Sequence, residues 1–155
     1  MRDLTTPINS PLVFLPFRTK PVGWALLGLS SILLAAYFLM DFRFQMPVFA
    51  VVSSFFETRF LVSFRTNFAD ELIMIGYLAG FFILVFSRER NESPELNGIR
   101  GNAMFLAIRY NFAFLAFSVL FVYGTGFIGA LLLNLVSVSI LYLVIFNRLK
   151  KRRFP

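Results

Sequence analysis

"GNAMFLAIRYNFAFLAFSVLFVYG", residues 101–124, decides what kind of protein this is. The run is almost wholly apolar. At about 1.5 Å per residue, a helix of this length crosses a hydrocarbon core of ~30 Å. A single charge, Arg109, interrupts it. A charged group fixed at mid-bilayer costs ~2.5–3.5 kcal/mol on insertion scales. Arg109 is therefore either placed where that cost is avoided or kept for a use.

Three further runs have the same character: residues 22–40 ("VGWALLGLSSILLAAYFLM"), 72–87 ("LIMIGYLAGFFILVFS") and 126–146 ("GFIGALLLNLVSVSILYLVIF"). With the opening run, whose span is 102–123, they predict an all-α integral membrane bundle of four transmembrane helices. Residues 1–155 read as a single membrane domain. Composition agrees: 58% of the 155 residues are hydrophobic, against about 45–50% in soluble domains. The stretch before the first run is polar and Pro-rich (Pro7, Pro11, Pro16, Pro21) and lacks a cleavable pattern, so the first span is expected to be retained.

The chain has no Cys and no His. Thiol nucleophiles, disulfides, haem–histidine ligation and the usual zinc sites are excluded, as is the side chain best suited to proton transfer near neutral pH. No catalytic residue, cofactor or metal ligand is expected, and the chain reads as a non-enzyme.

Charge sets the orientation. With both termini in the cytoplasm, four spans leave twelve of the fifteen basic residues and four of the eight acids inside. The outer segment, 41–71, keeps three basic residues and four acids. The positive-inside rule counts Lys and Arg, and this split satisfies it. The net charge of +7 is thereby assigned to topology, with no nucleic-acid partner implied. The basic tail, 147–155, supplies Arg148, Lys150, Lys151, Arg152 and Arg153 as candidate anchors to lipid headgroups.

The orientation bears on Arg109. Helical side chains lean toward the N-terminus, here the cytoplasmic end. The guanidinium can then reach headgroups. The alternative is a counter-ion or anion contact inside the bundle, but none of the four spans has an Asp or Glu in its apolar interior. The next polar groups, Tyr110, Asn111 and, in the fourth span, Asn134, are candidate intramembrane contacts. Such residues usually hold helices together at ~0.6 kcal/mol each. Gly76 and Gly80 have the G-x-x-x-G spacing of close helix packing. Asp70 and Glu71 read as a helix cap and dipole partner at the start of the second span.

Two segments between spans carry further expectations. Residues 47–64 place Val48, Val51, Val52, Phe55 and Phe56 near one helical face, with Arg59 on that face and Phe60 off it. An outer-surface amphipathic helix is expected, starting at Pro47. A fifth span is the alternative, but it would bury Glu57 and Arg59. The cytoplasmic loop 88–101 contains Ser93–Pro94–Glu95, a helix start with Ser as N-cap and Pro at N1. The third helix should begin there, before the membrane, and "YGTGF" should turn it tightly into the fourth.

Asn67, Asp70, Glu71, the "FSRER" at 86–90, Ile99, Arg100, Tyr110 and Asn111 form a pattern. Over residues 67–150 it resembles a group of small four-span inner-membrane proteins of Bacteroidota-type bacteria. Where that group has consecutive acids, this chain reads "NESPE". The resemblance implies a fold, a topology and the bacterial inner membrane, and it marks Arg100 and the Tyr110–Asn111 pair as part of a shared pattern. It implies no activity.

Two functions are compatible with these features. One is a non-enzymatic accessory or regulatory membrane subunit that meets a membrane or cytosolic protein partner through residues 88–101. The other is a small transporter or channel subunit, with Arg109 as an anion contact.

Overall fold

A computed structural model describes residues 14–53 and 59–154. Its elements run α1 (Lys20–Leu39), β1 (Gln45–Ser53), β2 (Arg59–Asn67), α2 (Ala69–Phe86), α3 (Pro94–Phe121) and α4 (Thr125–Arg153), with one 3-10 turn at Phe17–Thr19. Four helices are long and apolar enough to cross a membrane, the mark of an integral membrane protein.

Local chemistry sets the helix boundaries. Pro21 sits in the first turn of α1, where a missing N–H costs nothing. α1 ends before Asp41, a left-handed residue at φ 50°, held by Arg43 through Nε and NH2 at 3.0 and 2.8 Å. α3 starts at Pro94 with Ser93 in the N-cap position. The Ser93 hydroxyl makes no capping bond; the Leu96 N–H instead donates to the Ser93 carbonyl at 3.0 Å. Gly124 adopts φ +66°, a conformation costly for other residues, and so lets α3 turn into α4. At 28 and 29 residues, α3 and α4 run ~42 Å and ~43 Å, longer than a hydrocarbon core. The basic tail through Arg153 is thus helix.

The helices form two antiparallel pairs, α1 on α2 and α3 on α4, joined by α2 against α4. Each pair closes through small residues. A Cβ on Gly80 would lie 2.8 Å from Leu27 and 3.1 Å from the Gly23 carbonyl. Ala103 and Ala107 are fully buried and pack with Leu96, Val85, Tyr142 and Phe146. That core sits at the end of the bundle where the described chain begins and finishes, called the terminal end below.

The segment between α1 and α2 corrects one expectation. Where an outer amphipathic helix was expected over 47–64, the chain forms an antiparallel hairpin pairing Gln45 with Asn67 through Ser53 with Arg59. Phe55, Phe56 and Glu57 lie outside the described residues. The reason is composition combined with a period of two. Val and Phe favour a pleated, half-buried surface. Met46, Val48 and Ala50 alternate with the more exposed Pro47, Phe49 and Val51, and Val62, Phe64 and Thr66 alternate likewise across from them. Pro47 is tolerated because both strands of a two-stranded ribbon are edges. Arg59 and Phe60, which fitted the helical face poorly, were the local sign of this. Asn67 closes the base: its Oδ1 accepts from the Phe44 and Ala69 N–H groups at 2.9 and 3.3 Å. Asp70 and Glu71 stand in the first turn of α2, where negative charge meets the helix dipole, without a side-chain cap bond.

Candidate functional site

Charged residues gather at the terminal end, where all four helices contribute. Glu89, just past α2, accepts from Lys20 at the start of α1 and from Lys150 near the end of α4, the latter at 2.7 Å. Burial pushes the Glu89 carboxyl up. The hydrogen bonds from Lys150 and Lys20, with their positive charges, outweigh it and hold the group below the ordinary carboxylate value.

A second pair lies alongside. Arg100, on the buried face of α3, donates NH1 and NH2 to the two oxygens of Glu92 at 2.8 and 3.2 Å, a fork-on-fork geometry available to Arg and not to Lys. Its NH2 also reaches the Ser87 carbonyl at 3.4 Å. The guanidinium lies 4.2 Å from the Phe14 ring centre and 5.7 Å from that of Phe146, within cation–π range of both rings. Glu92 accepts from the Glu89 N–H at 2.9 Å, which folds loop 88–93 onto itself. Backbone bonds complete the assembly. The Leu15 N–H donates to the Phe86 carbonyl at 2.8 Å, and the Arg88 N–H to the Leu15 carbonyl at 2.9 Å. Thr19 and Ser87 join their hydroxyls at 2.9 Å.

These residues wall a recess of about 100 Å³, lined by Lys20, Trp24, Ser87, Glu89, Arg100, Tyr142, Phe146 and Asn147 together with Leu84, Val85 and Leu143. Arg100 is 7% exposed, and its Nε has no acceptor among the described residues.

The other sequence candidates are distributed differently. Arg109 is exposed on the outer surface of α3, without an ion pair or hydrogen bond among the described residues; it does not enter the bundle interior. Tyr110, 52% exposed, also points outward. Asn111 and Asn134 do meet: each donates to the other, at 3.5 and 3.3 Å, and Ser137 donates to Asn111 as well. Gly76 and Gly80 line the α1–α2 contact within one chain, facing Ser30 and Leu27. Of the tail cations, Lys150 turns inward to Glu89 and Arg153 lies 3.8 Å from Glu95, while Arg148, Lys151 and Arg152 are exposed.

Lys20, Glu89, Glu92 and Tyr142 were not singled out by the sequence reading. Topology places the acids of 89–95 on the same side as Lys20 and Lys150, which is a signal. Which acid meets which base depends on how the loop folds, and spacing does not give that. Comparison with protein-family models, with curated proteins and with solved structures returns no match.

Proposed function

We propose that the protein is a non-enzymatic accessory or regulatory subunit of the bacterial inner membrane, with its terminal end in the cytoplasm and residues 88–101 as its docking face. The observation that carries this reading is the double ion-pair clamp. Glu89 ties the loop to α1 and α4, and Glu92 ties it to α3. Loop residues that would otherwise be loose are thereby fixed, and Arg88, Arg90, Asn91, Glu95 and Asn97 stay exposed on a shaped surface. A preorganised surface binds with less ordering cost than a mobile one. The excess of Lys and Arg at this end supports the cytoplasmic orientation.

The transporter reading rested on four spans, on polar Asn and Ser in spans three and four, and on Arg109 as an anion contact within the bundle. The outward position of Arg109 removes the anion contact, and the Asn and Ser side chains are engaged with one another between α3 and α4. Photo-crosslinking in native membranes tests the docking face, with the crosslinker placed at Arg90 or Asn97 and, as control, at the exposed Phe117 on the membrane-spanning part of α3. A discrete protein adduct from the first two, absent from the third and lost in Glu89→Gln, is the expected result. Adducts to lipid alone from all three positions would sink the reading.

A further inference from the structure

We infer that the recess at the terminal end is an anion site that takes one phosphate group, either the headgroup phosphate of a membrane phospholipid or free inorganic phosphate. The inference stands apart from the docking reading, because it concerns the inside of the clamp and not its outer face.

Three observations converge on it. The first is size: the recess holds about 100 Å³, where one water's share of liquid volume is about 30 Å³, so a single tetrahedral oxyanion fits. The second is an unmet donor. Arg100 lines the recess, is 7% exposed, and its Nε–H finds no acceptor among the described residues. A buried N–H left without an acceptor costs ~1–3 kcal/mol, and an anion in the recess would remove that cost. The third is charge. Among the described residues Lys20, Lys150 and Arg100 are served by two carboxylates, and Glu89 is shared between two lysines. The cluster keeps one surplus positive charge, and the oxygens of Glu89 are turned to the lysines. Lys20 and Asn147 add donors on the wall, and Trp24 lines it too; tryptophan is a side chain enriched at headgroup level.

The test uses the full-length chain purified in a phosphate-free maltoside detergent. Inorganic phosphate should raise the melting temperature saturably, as ligands of the folded state do. Native mass spectrometry should alternatively show one phospholipid retained per chain. The first result assigns free phosphate and the second a lipid headgroup. Asn147→Leu removes a wall donor without touching the ion pairs and should weaken binding about tenfold, the loss of one hydrogen bond to a charged group. Arg100→Lys, which keeps the charge but loses both the Nε donor and the fork to Glu92, should weaken it at least as much. Should that variant fail to fold, Asn147→Leu still decides. The proposal is overturned by absence of both signals, by chloride matching phosphate, or by wild-type affinity in Asn147→Leu.

Discussion

The two ends of the bundle solve opposite problems. The terminal end buries charge: Arg100 and Glu89 are almost enclosed, and each is matched by hydrogen-bonded partners of opposite sign. The hairpin end exposes apolar surface: Phe49, Val51, Phe60 and Leu61 stand open on a two-stranded ribbon. A ribbon of two strands is marginally stable at best in water. A buried ion pair broken on one side leaves an uncompensated charge, at a cost of several kcal/mol. Stability should therefore be unevenly spread, with the terminal end setting the melting of the bundle and the hairpin end contributing little.

The largest expected effect comes from removing the shared carboxylate. Glu89→Leu leaves Lys20 and Lys150 facing each other in a partly enclosed site and should destabilise the bundle by about 2 kcal/mol, less than the ~3–5 kcal/mol of a fully buried pair. Thermal or denaturant melts in detergent would read this directly, and a loss under about 0.5 kcal/mol, the range of an ordinary surface change, would erase the contrast between the ends. Acid should act on the same group. A carboxyl held below its ordinary value stabilises the fold wherever it is ionised in both folded and unfolded chains. That contribution is complete above the ordinary pKa of ~4.3 and is lost as pH falls through the lowered value. Melting should be flat from neutral pH to about 5 and fall below about 4. Glu89→Gln, which cannot titrate, should show a smaller fall.

How much of this was readable in advance follows from what each feature depends on. The four spans and the start of α3 at Pro94 rest on local composition, and local composition is sequence. The small-residue contact of Gly76 and Gly80 was legible for the same reason: the spacing puts both on one helix face. The hairpin differs from the expected helix because Val48, Val51 and Val52 fall near one helical face by spacing, whereas a strand puts Val48 and Val51 on opposite faces. Only the continuation to Arg59 and Phe60 separates the two patterns. The clamp was hardest. Lys20 and Glu89 come together only when α1 and α2 are packed, and Glu92 finds Arg100 only once loop 88–93 has folded around it. Arg109 drew attention because it is unusual in its run, yet rarity along the chain says nothing about which way a side chain faces.

Gly80→Leu should have the next largest effect. A Cβ there already meets Leu27 and the Gly23 carbonyl at 2.8 and 3.1 Å, and backbone cannot yield as a side chain can. Forcing α1 away from α2 should cost ~1–3 kcal/mol. It should also loosen the clamp from a distance, since Lys20 rides on α1. Gly28→Leu, on a position with open space around it, is the matched control and should change melting little.

The smallest effects sharpen the comparison most, because they ask whether polar contacts count only when charge is involved. Asn111, Asn134 and Ser137 form a neutral cluster between α3 and α4. Interhelical hydrogen bonds in membranes average ~0.6 kcal/mol, since the unfolded chain in lipid also finds partners. Asn134→Leu should therefore cost well under 1 kcal/mol, several-fold less than Glu89→Leu, although both remove side chains that bridge helices. Phe49→Ser, on the open face of the ribbon, should shift melting by less than about 0.5 kcal/mol. If Asn134→Leu equalled Glu89→Leu, the neutral cluster would anchor the fold as firmly as the ion pairs do. If Phe49→Ser exceeded both, the hairpin would be packed against something that holds the bundle together from its other end, and the division of labour between the two ends would reverse.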